Sequence, residues 1–323
     1  MTKPIAIIAG EPNSISSEII FKSWMLRKKY SHKPILIIGS YQILNLQRKK
    51  LKYKIKIKNI NYNFKKRDLN GKALPVINVD YKQKKAFEKI STRSNNYIFK
   101  CFQKAMNLSK SKKVLGIINC PISKETLFKN KYKGITEYIS KKTNSEGREV
   151  MLLFNKNLSV SPLTTHLPIN KISKRLKKIN ILQKTQIINM FFKKIFKKKP
   201  NIIILGFNPH NYSPEKENEE KKIIIPAVKK VKQMGIKIKG PISADTSFMY
   251  AKENKVDVIL GIYHDQVLTP FKTLFKYDAI NITLGLPFIR ISPDHGVAKN
   301  ITGKKIANPK SLIQSIKFFN YLK

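Results

Sequence analysis

Five histidines stand in this chain, at 32, 166, 210, 264 and 295, and three fall in equivalent places. His166 closes Leu158-Ser-Val-Ser-Pro-Leu-Thr-Thr-His, His210 closes Ile202-Ile-Ile-Leu-Gly-Phe-Asn-Pro-His, and His264 closes Val256-Asp-Val-Ile-Leu-Gly-Ile-Tyr-His. Each follows the carboxyl end of an apolar run. Open α/β sheets bind ligands just outside the carboxyl ends of their strands. Neutral imidazole is a common ligand for zinc and similar divalent ions, and three protein ligands leave a position open for substrate. Taken singly, a histidine after a strand is an ordinary loop or capping residue. The repetition makes a shared metal site a candidate. His32, in Tyr30-Ser-His-Lys-Pro, reads as a surface turn residue.

Other polar groups accompany these histidines. Asp265 and Gln266 follow His264, and Asp245 lies in Gly240-Pro-Ile-Ser-Ala-Asp-Thr. Lys272, Asn281 and Arg290 precede a further polar loop, Asp294-His295-Gly296. Lys272 alone reads equally as one of many solvated lysines. Arg290 is rarer in kind: a guanidinium after Leu286-Pro-Phe-Ile suits bidentate capture of a carboxylate or phosphate, or a structural ion pair.

The elements that must position these groups read as alternating strands and helices. Strands are expected at Pro4 to Ala9, Pro34 to Ile38, Leu74 to Val79, Val114 to Asn119, Val150 to Phe154, Leu158 to Pro162, Ile202 to Leu205, Val256 to Gly261 and Ala279 to Thr283. Helices fit Ile15 to Lys29 with Ser14 as N-cap, Tyr41 to Lys50, Asn95 to Lys110, Ile181 to Phe196, Glu219 to Met234 and Pro309 to Leu322. This alternation predicts α/β layers around a mostly parallel sheet. The Gly-x-Gly-x-x-Gly fingerprint is absent, which disfavours an ordinary Rossmann dehydrogenase without excluding NAD binding by another architecture. The Lys-rich stretch from Lys49 to Lys72 gives no clear element.

The chain has 323 residues, 65 of them Lys or Arg against 19 Asp or Glu, a formal charge of +46. Its pI is about 10.2. Hydrophobic residues make up 41%, enough for a real core, and the length suits two domains or one large α/β unit. Arg occurs only at 27, 48, 67, 93, 148, 175 and 290. Base-reading proteins lean on Arg for guanine contacts, so the lysine excess reads as a solvated surface rather than a nucleic-acid footprint. No apolar run approaches the roughly 18 residues of a membrane helix, and no signal-peptide pattern opens the chain. Cys101 and Cys120 make neither a disulfide framework nor a thiolate zinc site. A soluble, cytoplasmic protein is expected.

At these motifs the sequence resembles the 4-hydroxythreonine-4-phosphate dehydrogenase family of vitamin B6 biosynthesis. The resemblance is carried by Ala9-Gly-Glu-Pro, Cys120-Pro-Ile-Ser-Lys-Glu, Gly134-Ile-Thr-Glu, Thr164-Thr-His-Leu-Pro and Gly206-Phe-Asn-Pro-His. It continues through Gly240-Pro-Ile-Ser-Ala-Asp-Thr, Tyr263-His-Asp-Gln, Asn281-Ile-Thr-Leu-Gly-Leu-Pro-Phe-Ile-Arg and Ser292-Pro-Asp-His-Gly. Residues 45 to 95 carry little of it. The resemblance implies two α/β/α subdomains with a cleft between them, similar to isocitrate and isopropylmalate dehydrogenases. The expected division is 1–130 plus the C-terminal helix 305–323, and 131–304 with the dimer interface. It further implies a homodimer whose active site draws on both subunits, with one divalent ion (zinc, magnesium or cobalt) held by His166, His210 and His264. Substrate contacts map to Ile135, Thr136, Lys272, Asn281 and Arg290. NAD or NADP is expected near Gly10 and Asp294-His295-Gly296.

The implied oxidoreductase reaction is oxidation of 4-phosphooxy-L-threonine at C3, then decarboxylation to 3-amino-2-oxopropyl phosphate. A divalent ion at the C3 hydroxyl favours hydride loss and then polarises the ketone. Asp245, as ligand orienter or proton relay, and Lys272 remain rivals for the catalytic proton role. The sequence departs from the family at Ile135, where histidine is usual, and in the less Gly-rich turn Asn13-Ser-Ile-Ser-Ser. Isoleucine donates no hydrogen bond; a lost contact costs about 1–3 kcal/mol unless a group such as Lys131 or Lys133 replaces it. A paralogue acting on threonate or erythronate 4-phosphate is therefore the alternative. A basic nucleic-acid-binding protein without catalysis is the second alternative.

Overall fold

The computed structural model describes residues 3–128, 132, 134–214, 218–294 and 296–322. Contacts divide the chain into one unit of Met1–Ile139 with Pro287–Lys323, and a second of Ser140–Leu286. The expected boundaries were 131 and 304. The return to the first unit comes earlier than 305 because the strand at Ile289–Pro293 pairs with Gly116–Ile118.

The first unit contains β1 (Ile5–Ile8), β2 (Ile35–Gly39), β3 (Ile57–Ile60), β4 (Leu74–Asn78), β5 (Gly116–Asn119) and, from the returning segment, β12 (Ile289–Pro293). Their order is β3-β4-β2-β1-β5-β12, with every pairing parallel. All four residues of β1 and all five of β2 are buried, as expected of strands covered on both faces. The helix Asn95–Lys110 contributes Ile98, Phe102, Ala105 and Met106 to the core at the three- and four-residue spacing of one helical face.

The second unit contains β6 (Val150–Phe154), β7 (Ser159–Thr164), β8 (Ile202–Leu205), β9 (Ile238–Ile242), β10 (Val258–Tyr263) and β11 (Ile280–Leu284). Their order is β11-β6-β7-β10-β8-β9. β7, β10, β8 and β9 run parallel, while β6 is antiparallel to both of its neighbours. Val160, Ile203, Ile259, Val267 and Phe271 form part of this unit's own core.

Several elements differ from the sequence expectation. β3 lies in the Lys-rich stretch and its two central residues, Lys58 and Asn59, are exposed, so no apolar alternation marked it. β9 runs through Gly240-Pro241, residues depleted in strands. β7 and β10 extend two residues further than expected, because pairing continues to Tyr263 and Thr164. His264-Asp-Gln opens a helix, His264–Phe275, whose interior Pro270 obscured the pattern. Glu219 to Met234 is not one α-helix: a π turn at Glu220–Ile224 precedes an α-helix at Ile225–Gln233. Pro226, without an N–H, sits where the two registers meet. Ser14 is not the N-cap expected: the helix begins at Ser16 with Ile15 at its N-cap and no side-chain cap bond, and Ser14, one position earlier, accepts from the Ser16 N–H.

Candidate active site

The order β7-β10-β8 places three histidine-bearing strand ends side by side on one edge of the second unit. β10 pairs in parallel with β7 on one side and with β8 on the other. His166 follows β7 by two residues, His210 follows β8 by five, and His264 begins the helix that leaves β10 directly. The rings of His166 and His264 have centroids 6.3 Å apart.

Side chains tie these strand ends together. Thr164 Oγ1 donates to the Ile262 carbonyl at 2.8 Å, joining β7 to β10. Gln266 accepts from the Ile262 N–H at 2.7 Å and donates to the Gly206 carbonyl at 2.8 Å, joining β10 to the His210 loop. That loop is organised by Glu220, which is 2% exposed. Its carboxylate accepts from the Phe207 and Asn208 N–H groups and from the Asn208 amide, each at 2.8 Å. A Cβ at Gly206 would stand 1.9 Å from Asn211 Oδ1, so a larger residue there would displace the Asn211 side chain. His166 and His210 both adopt left-handed backbone, with φ of 52° and 53°. Such conformations cost on the order of 1–3 kcal/mol and persist where surrounding contacts enforce them.

Two of the imidazoles have carboxylate neighbours. His264 Nδ1 lies 2.6 Å from Asp265 Oδ1, and His210 Nδ1 lies 3.5 Å from Asp245 Oδ2. Asp245 Oδ1 in turn accepts from Ser243 Oγ at 2.7 Å and from the Thr246 N–H at 2.9 Å. The Ser243 hydrogen bond is the main influence holding its carboxyl below the usual range. A carboxylate at Nδ1 fixes the tautomer that leaves Nε2 for a metal, the usual outer-shell arrangement of metal-bound histidine. Among the described residues, no three His, Cys, Asp or Glu side chains gather closely enough to enclose an ion.

Lys272 and Asn281 do not join this edge in the same chain. Lys272 is exposed, eight residues and roughly 12 Å of helix axis beyond His264. Asn281 lies on β11 level with Leu153, which is level with Val160, six residues before His166. Its Oδ1 is buried without a hydrogen-bond partner.

The first unit assembles a different set. Arg290, on β12, is 2% exposed. Its Nε donates to Asn119 Oδ1 at 2.8 Å and its Nη1 to Thr136 Oγ1 at 3.3 Å. Burial pulls the guanidinium down to about 10, with Glu137 opposing the shift. It therefore stays charged near neutrality. Thr136 and Arg290 are thus brought together as expected substrate residues, while Ile135 beside them is 6% exposed and apolar. Gly10 and Asp294 follow β1 and β12, which flank β5. The Ile15 N–H donates to the Val297 carbonyl at 3.3 Å, joining the Gly10 turn to the segment after Gly296. Gly10 has a local reason as well: at φ 75° a Cβ would meet the Pro121 carbonyl oxygen at 2.4 Å. Lys131, Lys133 and His295 lie outside the described residues.

Sequence reasoning missed Glu220 and the bridging roles of Thr164 and Gln266. Nothing in the sequence marked Glu220, whose burial and partners are set by the folded loop.

Imidazoles backed by carboxylates at the carboxyl edge of a parallel sheet are what a metal-using α/β enzyme presents to its substrate. The chain belongs to the family described as pyridoxal phosphate biosynthetic protein PdxA, whose profile matches residues 31–319. It is 36% identical over 325 residues to the 4-hydroxythreonine-4-phosphate dehydrogenase of a Sulfurihydrogenibium species, covering 99% of this chain and 98% of that protein. It is 32% identical over 322 residues to the D-threonate 4-phosphate dehydrogenase of Salmonella typhimurium, covering 98% of each. The crystal structure of 4-hydroxythreonine-4-phosphate dehydrogenase from Klebsiella pneumoniae superposes with a TM-score of 0.85 at 29% identity, covering 98% of this chain and 96% of that one. Isocitrate dehydrogenase from Methylococcus capsulatus, 9% identical, shares the fold alone, with a TM-score of 0.50 over 100% of this chain and 86% of that one.

Proposed function

We propose that this chain oxidises 4-phosphooxy-L-threonine at its C3 hydroxyl with NAD or NADP. Loss of carbon dioxide then gives 3-amino-2-oxopropyl phosphate for pyridoxal phosphate synthesis. The observation that carries the reading is the tied edge at β7, β10 and β8, in a chain similar over nearly its whole length to enzymes named for this substrate.

His166, His210 and His264 would hold one divalent ion, with zinc, magnesium and cobalt all suited to imidazole or oxygen donors at such a site. The carboxylates at Nδ1 of His210 and His264 fit that role. When bound, the ion supplies Lewis-acid polarisation of a substrate oxygen. Asp245 serves as the positioning residue for His210, because one of its oxygens is engaged by Ser243 and Thr246 and the other faces the ring. Lys272 is then the candidate for proton transfer. Arg290, set by Asn119 and Thr136, binds the phosphate or carboxylate of the substrate. Asn281 Oδ1 is an orphaned acceptor suited to a substrate N–H or O–H.

Lys272 and Asn281 stand apart from the histidines of their own chain, which favours a homodimer whose site draws on both subunits. The Gly10 turn and the Asp294–Gly296 segment, with His295 between them in sequence, are the proposed nicotinamide cofactor contacts. No helix among the described residues is long and apolar enough to cross a membrane; a cytoplasmic location goes with the proposed pathway.

A second reading is dehydrogenation of D-threonate 4-phosphate. It rests on Ile135, which offers no hydrogen bond where the family usually has histidine, and on the similarity to an enzyme named for that substrate. NADH or NADPH formation from each substrate decides between them. Turnover of the threonate phosphate alone would reject the first reading. Metal analysis of wild type beside His210→Ala tests the site itself. We expect a stoichiometric ion in the former and its loss, with turnover, in the latter.

A further inference from the structure

A cavity of about 860 Å³ opens in the first unit, away from the groups described above. Pro4, Pro34 and Ile35 line it, so it lies at the amino ends of β1 and β2. The candidate cofactor residues lie beyond the opposite, carboxyl ends. The volume is within the range of roughly 300–1,000 Å³ typical of small-ligand sites.

The lining is strongly one-signed. Eight lysine and arginine side chains border it and no carboxylate does. They come from four separate stretches, residues 3–4, 24–35, 64–71 and 113, so no single lysine run accounts for them. The fold has gathered them. None of the eight makes an ion pair among the described residues. The nearby Asp68 is turned to Lys58 and to the Lys65 N–H instead. Like charges held around one concavity raise each other's energy, and a bound anion relieves that cost.

One cation is held in a fixed attitude. The Arg27 guanidinium stacks on Trp24, 3.6 Å from the ring centroid. Its Nη1 donates to the Trp24 carbonyl at 2.9 Å and its Nη2 to the Gly71 carbonyl at 3.2 Å. A guanidinium has five N–H donors, so three remain for an anion. Arg67, Lys33 and Lys65 add charge around it, as does Lys113, whose Nζ donates to Asn63 Oδ1 at 2.9 Å.

We propose that this cavity is a binding site for a small polyphosphate, a chain of three or more linked phosphates, either inorganic or carried by a nucleoside. Charge is the recognition element, because Trp24 is 5% exposed and Arg27 covers its face. The proposal is independent of the dehydrogenase reading, and its test needs no turnover.

Trp24 is the one tryptophan of the chain, so its emission reports directly on the cavity. Purified full-length protein is titrated with inorganic triphosphate, with ATP and with inorganic phosphate. Saturable change in emission with triphosphate and ATP, and much weaker response to phosphate, is expected. Equal affinity for triphosphate and ATP assigns the inorganic chain; tighter ATP binding assigns a nucleotide. Lys65→Glu with Arg67→Glu should weaken triphosphate binding roughly tenfold or more, the loss of one or two charge-assisted contacts. Lys229→Glu with Lys232→Glu, two exposed lysines of the second unit, should leave it unchanged. Thermal unfolding of both variants checks that they fold. If a variant unfolds, Lys65→Gln and Arg67→Gln are read separately. The proposal is overturned by an absence of saturable change, by equal weakening in both variant pairs, or by a DNA oligonucleotide binding tighter than triphosphate and losing affinity in the same cavity variant.

Discussion

Glu220 is the residue on which the His210 loop depends, through three hydrogen bonds to Phe207 and Asn208. Glu220→Ala should cost about 2–4 kcal/mol in urea unfolding, because two backbone donors lose their acceptor. It should also weaken metal binding, and Glu220→Gln should recover part of both through its remaining carbonyl oxygen. Glu11 makes a second prediction. It is fully buried, and desolvation raises its carboxyl above the ordinary value despite bonds from the Asn13 N–H and Ser94. The folded state therefore holds the proton more tightly than the unfolded chain. Stability should fall as pH rises from the ordinary carboxylate value through the raised folded one. Glu11→Gln should flatten that slope in unfolding curves measured across this window. At this scale type and position singled out the histidines, Arg290 and Asp245 as candidates. Glu220 was not, because its partners lie 12 and 13 residues away across a loop.

The elements explain why those residues meet. Thr164 and Gln266 couple three adjacent strand ends. Thr164→Val removes one bond and leaves the Ile262 carbonyl short of a donor, so a loss of about 1–2 kcal/mol in unfolding free energy is expected. Gln266→Leu should lower affinity for the proposed ion more than Thr164→Val, as it removes both the bond to the Gly206 carbonyl in the His210 loop and the acceptor of the Ile262 N–H. On β12, Arg290→Lys keeps a charge but loses the planar fork aimed by Asn119 and Thr136. KM for the phosphorylated substrate should rise about tenfold or more, with a smaller change in kcat. Wholly apolar strands such as β1, β2 and β8 were readable because both faces are covered. β3, β9 and β12 were not: β3 has a Lys-Asn centre, β9 a Gly-Pro pair, and β12 is only a short Ile-Arg-Ile-Ser alternation whose place is fixed by its pairing with β5.

Across the molecule, the charge of +46 changes meaning. Most lysines decorate the surface, yet six of them and two arginines converge on one cavity with no carboxylate among its lining residues. Raising salt from about 50 to about 200 mM should weaken non-specific DNA binding steeply. It should raise KM modestly through lost steering and leave kcat unchanged, which steady-state kinetics would show. Analytical ultracentrifugation should find a dimer, as the separation of Lys272 and Asn281 from the histidines of one chain requires under the proposed mechanism. The sequence by itself determined the α/β class, most strands, about half of the α-helices among the described residues, and the placing of three histidines after apolar runs. Those are local properties, set by apolar spacing within one element. Only the tertiary structure decided that β7, β10 and β8 are neighbours, that Glu220 and Gln266 hold their ends, and that four distant stretches enclose a cationic cavity. Each of these rests on contacts between residues far apart in the chain, which no local pattern encodes.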